Sequence, residues 1–323
     1  MAQPDPDRRM SLYPLPRDIP TEVFARVPEA LRVRDREDDW SRANKPGKTI
    51  ECFLEGPSFD RHGDLWVTDI PYGRIFRVDP AGSFTLVAEY DGWPNGLKIH
   101  RDGRIFITDY KRGLMLLDPD SGAVTPFLTH WRSESFKGVN DLVFASNGDL
   151  YFTDQGQTGL HDPTGRVFRL PADGRLECLL DTIPSPNGLV LNLEESVLYV
   201  AVTRDNSVWR LPLMPDGGVS KVGAFVRLSG GTGPDGLALD GDGNLYVCHV
   251  GMGSVWVFSP LGEPLYRVRS CAGLMTTNLA FGGAESRELY ITESDSGSIL
   301  RAVLPVPGRP MFSHLPQPRA ARR

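Results

Sequence analysis

The sequence predicts an all-β, six-bladed propeller with four antiparallel strands per blade. Three observations carry that expectation. A strand signature recurs six times, its spacing stays close to the length of one blade, and nothing in the body of the chain has helical periodicity. The tight copies are Gly63-Asp64-Leu65-Trp66-Val67-Thr68-Asp69, Gly103-Arg104-Ile105-Phe106-Ile107-Thr108-Asp109 and Gly148-Asp149-Leu150-Tyr151-Phe152-Thr153-Asp154. Looser copies follow at Val197–Ala201, Asn244–His249 and Glu288–Glu293. From Leu65 through Ile105, Leu150, Leu198 and Leu245 to Leu289 the steps are 40, 45, 48, 47 and 44 residues, the period of a four-stranded blade. A sandwich or jelly roll also has many short strands, but neither explains near-equal repeats.

Each signature is the second strand of its blade. Blade 1 shows the whole pattern at Gly56–Phe59, Leu65–Thr68, Arg74–Val78 and Phe84–Glu89, with turn residues between the runs. The last blade runs out of chain after its third strand, because the sequence beyond Val303 is rich in proline. Thr21–Val27 alternates like an outer strand, yet it precedes the first blade. It is therefore expected to complete blade 6 and close the ring, covering an otherwise open edge. The expected organisation is a flexible tail over 1–18, one propeller domain over 19–307 and a flexible tail over 308–323.

Composition narrows the function classes. With 323 residues, 40% of them apolar, the chain can bury a large core. A net charge of −6 argues against a nucleic-acid partner, which needs a basic face. No apolar run reaches the ~18 residues of a membrane span, and Met1–Pro20 lacks the apolar stretch of a signal peptide. A soluble, cytoplasmic protein is expected, as a monomer or small homo-oligomer. Cys52, Cys178, Cys248 and Cys271 are scattered without metal-site spacing and read as free thiols.

Ten or eleven residues before each marker, at the start of each innermost strand, stand Glu55, Asn95, Asn140, Asn187, Asp235 and Asn278. All are carboxylates or carboxamides. Asx-Gly pairs are common hairpin turns, but here the hairpin turns fall later, at Asp102-Gly103, Asn147-Gly148 and Asp242-Gly243. A ring of backbone-capping Asx groups is one reading; a ligand or metal site is the other. Innermost strands line the central channel, so six equivalent side chains converge at one mouth. Oxygen donors without His or Cys suit a hard divalent cation such as Ca2+, Mg2+ or Mn2+. The two acidic members, Glu55 and Asp235, balance its charge.

At these residues the sequence resembles the gluconolactonase/regucalcin (senescence marker protein) family of calcium-dependent, lactonase-type propellers, and more distantly diisopropylfluorophosphatase and paraoxonase. The matching motifs are Glu55-Gly56-Pro57, Asn140-Asp141, Pro186-Asn187-Gly188 and Asp235-Gly236, in order and at blade spacing, within a resemblance running from about Ile50 to Val303. The resemblance implies a metal-dependent carboxylic ester hydrolase that opens a small-molecule lactone. It implies one divalent cation, Ca2+ first and Mg2+, Mn2+ or Zn2+ as alternatives, held by Glu55, Asn140, Asn187 and Asp235, with Asp235 also handling proton transfer. Two departures stand out: Gly236 replaces a serine found in some relatives, and Gly138 replaces an arginine that regucalcin places two residues before its Asn. Lys137 or Arg132 is the available substitute.

A carboxylate bound to a cation is a mediocre base, so Asp141 is the alternative proton acceptor; strand alternation, however, turns it away from the channel if Asn140 faces in. Expected substrate contacts are Asn95 and Asn278 in the ring and Trp93, Tyr110, His130, Trp131, Gln155, Arg204 and Thr277 on mouth-side loops. The segment Arg34–Lys48, with Trp40 among many charges, is either a lid or a solvated loop. No Gly-x-Ser-x-Gly elbow or HExxH motif is present. A phosphotriesterase-like hydrolase on the same site and a non-catalytic ligand-binding propeller are the competing functions.

Overall fold

In the computed structural model, which describes residues 15–34, 36, 38–172 and 174–316, the repeats become six sheets arranged around a central channel. Blade 1 is formed by Leu54–Phe59, Leu65–Asp69, Arg74–Val78 and Phe84–Glu89, antiparallel and in sequence order from the axis outward. Blades 2, 3 and 4 repeat that order, with innermost strands Pro94–Ile99, Val139–Phe144 and Pro186–Leu191. Blade 5 begins at Gly233–Leu239 and gains a fifth strand, Arg17–Pro20, which runs parallel to its outer strand Pro264–Arg269.

Blade 6 consists of Thr276–Gly282, Glu288–Glu293 and Ser298–Val303, and its fourth strand is Glu22–Arg26. The closing register pairs Glu22 with Arg301, Val23 with Leu300 and Arg26 with Ser298, as the alternation of Thr21–Val27 predicts. Phe24 seals the seam edge-on to Tyr290, with ring centroids 5.0 Å apart, and Arg301 hydrogen-bonds Glu22 across it at 2.9 Å.

Apolar layers fill the space between neighbouring blades. Between blades 6 and 1, Val67 and Phe76 pack with Tyr290 and Ile299, all buried. Between blades 4 and 5, Val190 and Ala201 meet Leu237 and Val247. Each fully buried Leu, Ile or Phe of these layers contributes about 1.5–3 kcal/mol of burial.

Both expected tails differ from the structure where they are described. Arg17 and Asp18 belong to the added strand of blade 5, and Asp18 accepts a 2.8 Å hydrogen bond from Arg267. Residues 308–316 cross the lower end of the channel as a strap. Arg309 donates to the carbonyls of Leu191 and Asn192, Phe312 stacks on Phe144 with centroids 4.9 Å apart, and Arg61 holds the Ser313 carbonyl at 2.6 Å. Pro310 lacks a backbone donor, and the arginine contacts anchor the segment together with the N–H bonds of Gly308 to the Ser286 carbonyl at 2.7 Å and of Arg309 to the Leu239 carbonyl at 3.0 Å. Residues 1–14 and 317–323 lie outside the described part. Among the described residues no helix is long and apolar enough to cross a membrane.

Candidate metal and active site

The six ring residues stand where the sheet register breaks. In every blade the pairing of the innermost strand with the second strand is interrupted there, from Glu55/Ser58 in blade 1 to Thr276/Asn278 in blade 6. Such a bulge suspends the strict in-out alternation of side chains. Asp141 is the consequence. Alternation predicts that it faces away, but the irregularity between Val139 and Leu142 delivers it to the same axial cluster as Glu55.

The Thr-Asp pair that ends the second strand positions the ring. Thr68 donates to the carbonyl of Asn95 at 2.6 Å and Thr153 to that of Asn187 at 2.8 Å; Thr108 does the same for Asn140. Each threonine thus ties a ring residue of the next blade. The aspartate after it works within its own blade, accepting the backbone N–H two residues before the ring position: Asp69 from Phe53 at 2.6 Å, Asp109 from Trp93 at 3.0 Å and Asp154 from Gly138 at 2.7 Å. Arg74 and Arg166 neutralise Asp69 and Asp154.

Glycine after the ring residue lets adjacent blades approach. A Cβ on Gly236 would fall 2.3 Å from Asn278 Oδ1, and one on Gly188 would fall 2.4 Å from the Asp235 carbonyl. The serine that some relatives carry at the position of Gly236 has no room against Asn278 here. In blade 3 the residue after the ring position is Asp141 rather than glycine, and its carboxylate fills the approach beside Gly96.

At the top of the channel the side chains interlock. Asn278 Nδ2 donates to Glu55 Oε2 at 2.9 Å and, more weakly, to Asp141 Oδ2 at 3.5 Å, while Asn278 Oδ1 is occupied by the N–H of Leu279. Asn278 therefore faces the carboxylates as a donor. Glu55 also accepts from the N–H of Gly56 at 2.9 Å. Asn187 donates to Asp235, and Asn140 Nδ2 is held by Gln155 Oε1 at 3.0 Å, leaving Asn140 Oδ1 as its free acceptor.

Burial of these carboxylates raises their proton affinity. Glu55 is pushed up to about 7, mainly by burial and further by Asp141. Asp141 rises for the same first reason, opposed by Lys98. Asp235 lies well above the ordinary carboxylate range through burial and the charges of Glu55 and Asp141, although its side chain keeps an opening to solvent. Among the described residues no three His, Cys, Asp or Glu side chains are set to hold a metal by themselves. The donor set relies on carboxamides as well. Crowded carboxylates flanked by amide oxygens fit a hard divalent cation, which removes the mutual repulsion.

Apart from Asn278, which the ring uses as a donor to Glu55, the predicted substrate residues divide into four groups. Asn95, Trp93 and Tyr110 stay together at the mouth, the two rings 6.1 Å apart, and Tyr110 hydrogen-bonds Gln157 at 2.9 Å. Gln155 and Thr277 are used from behind: Gln155 bridges Asn140 to Ser185, and buried Thr277 donates to Glu55 and contacts Ser294 at 2.8 Å. His130 and Trp131 are not brought to the ring. They form a small hairpin with Glu134–Ser135, and Trp131 packs edge-on against Phe168 at the outer side of blade 3. Arg204 is exposed and close enough to Lys45 to act on its charge.

Gly138 leaves no place for an arginine, since a Cβ there would lie 2.5 Å from the Tyr110 ring. Its suggested substitutes are engaged elsewhere, Lys137 with Thr164 and Arg132 over Trp131. The Arg34–Lys48 segment contains the helix Asp39–Asn44, capped by Asp38, which accepts the Ser41 N–H at 2.9 Å. Trp40 is buried against Phe53, Asn44 reaches Gln157 of blade 3, and Lys45 acts on Asp295 and Asp235. The helix therefore covers part of the mouth. Ser185, Lys98 and Lys45 were not singled out from the sequence. For Asp141 a signal existed: an acid at the position that is glycine in blades 1, 2, 4 and 5.

Comparison with known proteins agrees with this geometry. Residues 53–295 match the SMP-30/Gluconolactonase/LRE-like region. The chain belongs to that family. Within the SMP-30/gluconolactonase group, lactonase drp35 of Staphylococcus aureus (strain MRSA252) is 32% identical over 243 residues, 72% of each chain. The X-ray structure of a putative gluconolactonase superposes with a TM-score of 0.69 at 25% identity, covering 80% of this chain and 90% of that one. The calcium-binding protein regucalcin from Agrobacterium tumefaciens shares the fold, with a TM-score of 0.71 at 22% identity over 92% and 99% of the two chains. The family match contains all six ring positions but neither the closing strand, the Asp39–Asn44 helix nor the strap.

Proposed function

We propose that the protein is a metal-dependent lactonase, hydrolysing a cyclic ester with one divalent cation, calcium first, held by Glu55, Asn140, Asn187 and Asp235. The observation that carries this reading is the cluster of buried Glu55 and Asp141 with half-buried Asp235 at the channel mouth, with Asn140 and Asn187 beside it and no hydrogen bond joining one carboxylate to another. Stability alone disfavours such an arrangement, so a cationic ligand accounts for it. The family membership and the lactonase name of the drp35 relative support the substrate class.

A bound divalent cation supplies Lewis-acid polarisation of an ester carbonyl and eases ionisation of a water. The chain's own residues do the rest. Glu55 is clamped by the N–H of Gly56, Asn278 and Thr277, which suits a fixed ligand rather than a proton carrier. Asp235 has fewer restraints and an open side, so it is the group that takes a proton from water and returns it to the leaving alkoxide. Trp93 and Tyr110 wall the apolar side of the substrate, and the Trp40 helix limits water above it.

The test is a panel of sugar, aliphatic and aromatic lactones, assayed with chelator, with metal restored, and with Asp235→Ala. Activity lost on chelation and in the variant, with the fold intact, supports the reading. If every lactone falls a hundredfold or more below organophosphate triesters in kcat/KM, a preference of about 2.7 kcal/mol, the site is a phosphotriesterase instead.

A further inference from the structure

Three carboxylates meet at the top of the channel, and one divalent cation balances only two of them. The remaining charge has an answer lower down. Three residues below Asn95 on the same strand, Lys98 occupies the position that pairs with Phe106 in the second strand. The equivalent positions, each paired with an aromatic residue, are Ser58, Val143, Val190, Ala238 and Ala280. Lys98 is the single charged member of that lower level. It lines a cavity of about 240 Å³ whose floor is Met311 and Phe312 of the strap. The other charged groups of that cavity, Glu195 and Arg309, are paired with each other.

Asp141 is the carboxylate on which Lys98 acts from below, through the channel and without a direct ion pair between the two. Its Oδ1 lies against Gly96, two residues before Lys98, where a Cβ would come within 2.6 Å. Lys98 is the cation that favours its ionised form, whereas Lys45 acts from the mouth on Asp295 and Asp235. Neither residue of the Lys98–Asp141 pair stands in the proposed ligand set.

We propose that Lys98 is a built-in counter-ion for Asp141, so that the ring with one divalent cation closes to neutrality, and that Lys98 thereby sets how tightly the ring holds its metal. Lys98 is a positioning residue in this scheme, and the inference rests on the metal reading above. Taking the ammonium away leaves an extra negative charge beside the cation site, which tightens cation binding; taking the carboxylate away does the reverse. Removing both restores the net charge and leaves a neutral pair of similar volume, which buried sites tolerate better than one uncompensated charge.

The experiment measures calcium affinity by calorimetry, and thermal melting in chelator, for the wild type, Lys98→Met, Asp141→Asn, the double variant and Lys98→Arg. Expected are about tenfold tighter calcium binding in Lys98→Met, about tenfold weaker binding in Asp141→Asn, and a return to within about threefold of wild type in the double variant and in Lys98→Arg. In chelator both single variants should melt below the wild type, and the double variant should recover at least half of the larger loss. Calcium affinity unchanged or weaker in Lys98→Met overturns the proposal, as does a double variant melting at the sum of the single losses. If the wild type binds no divalent cation, the metal reading fails by itself, while the melting cycle in chelator still decides whether Lys98 answers Asp141.

Discussion

The two ends of the axial channel are built from the same six strands, three or so residues apart, and they obey opposite rules. At the upper end Glu55, Asn95, Asn140, Asn187, Asp235 and Asn278 sit in register breaks, with Asp141 added to the cluster. At the lower end Ser58, Val143, Val190, Ala238 and Ala280 sit in regular pairing, joined by the single charge of Lys98, over a strap that supplies Met311 and Phe312. The lower end is what a buried channel becomes when only packing governs it. The upper end keeps charges that burial opposes. That contrast localises chemistry to one mouth and stability to the other.

The largest test of the contrast is at Asp235. Asp235→Ala should lower lactonase kcat/KM by roughly three orders of magnitude, about 4 kcal/mol, with the circular dichroism spectrum unchanged. A loss under tenfold would move the chemistry away from this mouth. The next effect is pH dependence of stability in chelator. Glu55 has a folded-state pKa near 7 against an ordinary value of 4.5, so the folded state binds the extra proton between those limits. Its contribution is fully present below pH 4.5 and is lost as pH rises to about 7, a decline on the order of 3 kcal/mol. Melting followed from pH 5 to 7.5 should show this fall, Glu55→Gln should make it shallower while Asp141 and Asp235, raised in the same direction, keep the remainder, and saturating calcium should oppose it. A flat wild-type curve would contradict the burial assigned to Glu55.

Smaller effects sharpen the comparison. Gly236→Ala places a Cβ against Asn278, and should cost about 1–3 kcal/mol by overpacking while weakening calcium binding, since Asn278 orients Glu55. Denaturant unfolding combined with calorimetry reads both. At the lower end Val190→Ala should cost only about 1–2 kcal/mol and leave kcat/KM within twofold. Comparable activity loss there would erase the distinction between the two ends.

Much of the site was legible because propeller blades repeat. A polar residue recurring ten or eleven positions before Leu65, Ile105 and their equivalents needs no coordinates to be placed on one ring. What escaped was set by neighbours. His130 and Trp131 lie beside blade 3 in sequence, but their hairpin packs outward on Phe168. Gln155 and Thr277 lie near the mouth but spend their hydrogen bonds holding Asn140 and Glu55.

Blade number, the closing strand Glu22–Arg26 and the six ring positions follow from the sequence alone, because they depend on period and alternation, which are local properties of a chain. The tertiary structure decided where those local rules lapse. The bulge at Asn140-Asp141 turns an expected outward side chain into the axial cluster, and the contacts of Arg309 with carbonyls and a carboxylate of blade 4, together with Arg61 of blade 1 on the Ser313 carbonyl, hold down a proline-rich end that composition alone reads as a tail. Both outcomes are settled by partners that are distant in sequence: Asn278 and Glu55 for Asp141, and Leu191, Asn192 and Arg61 for the strap.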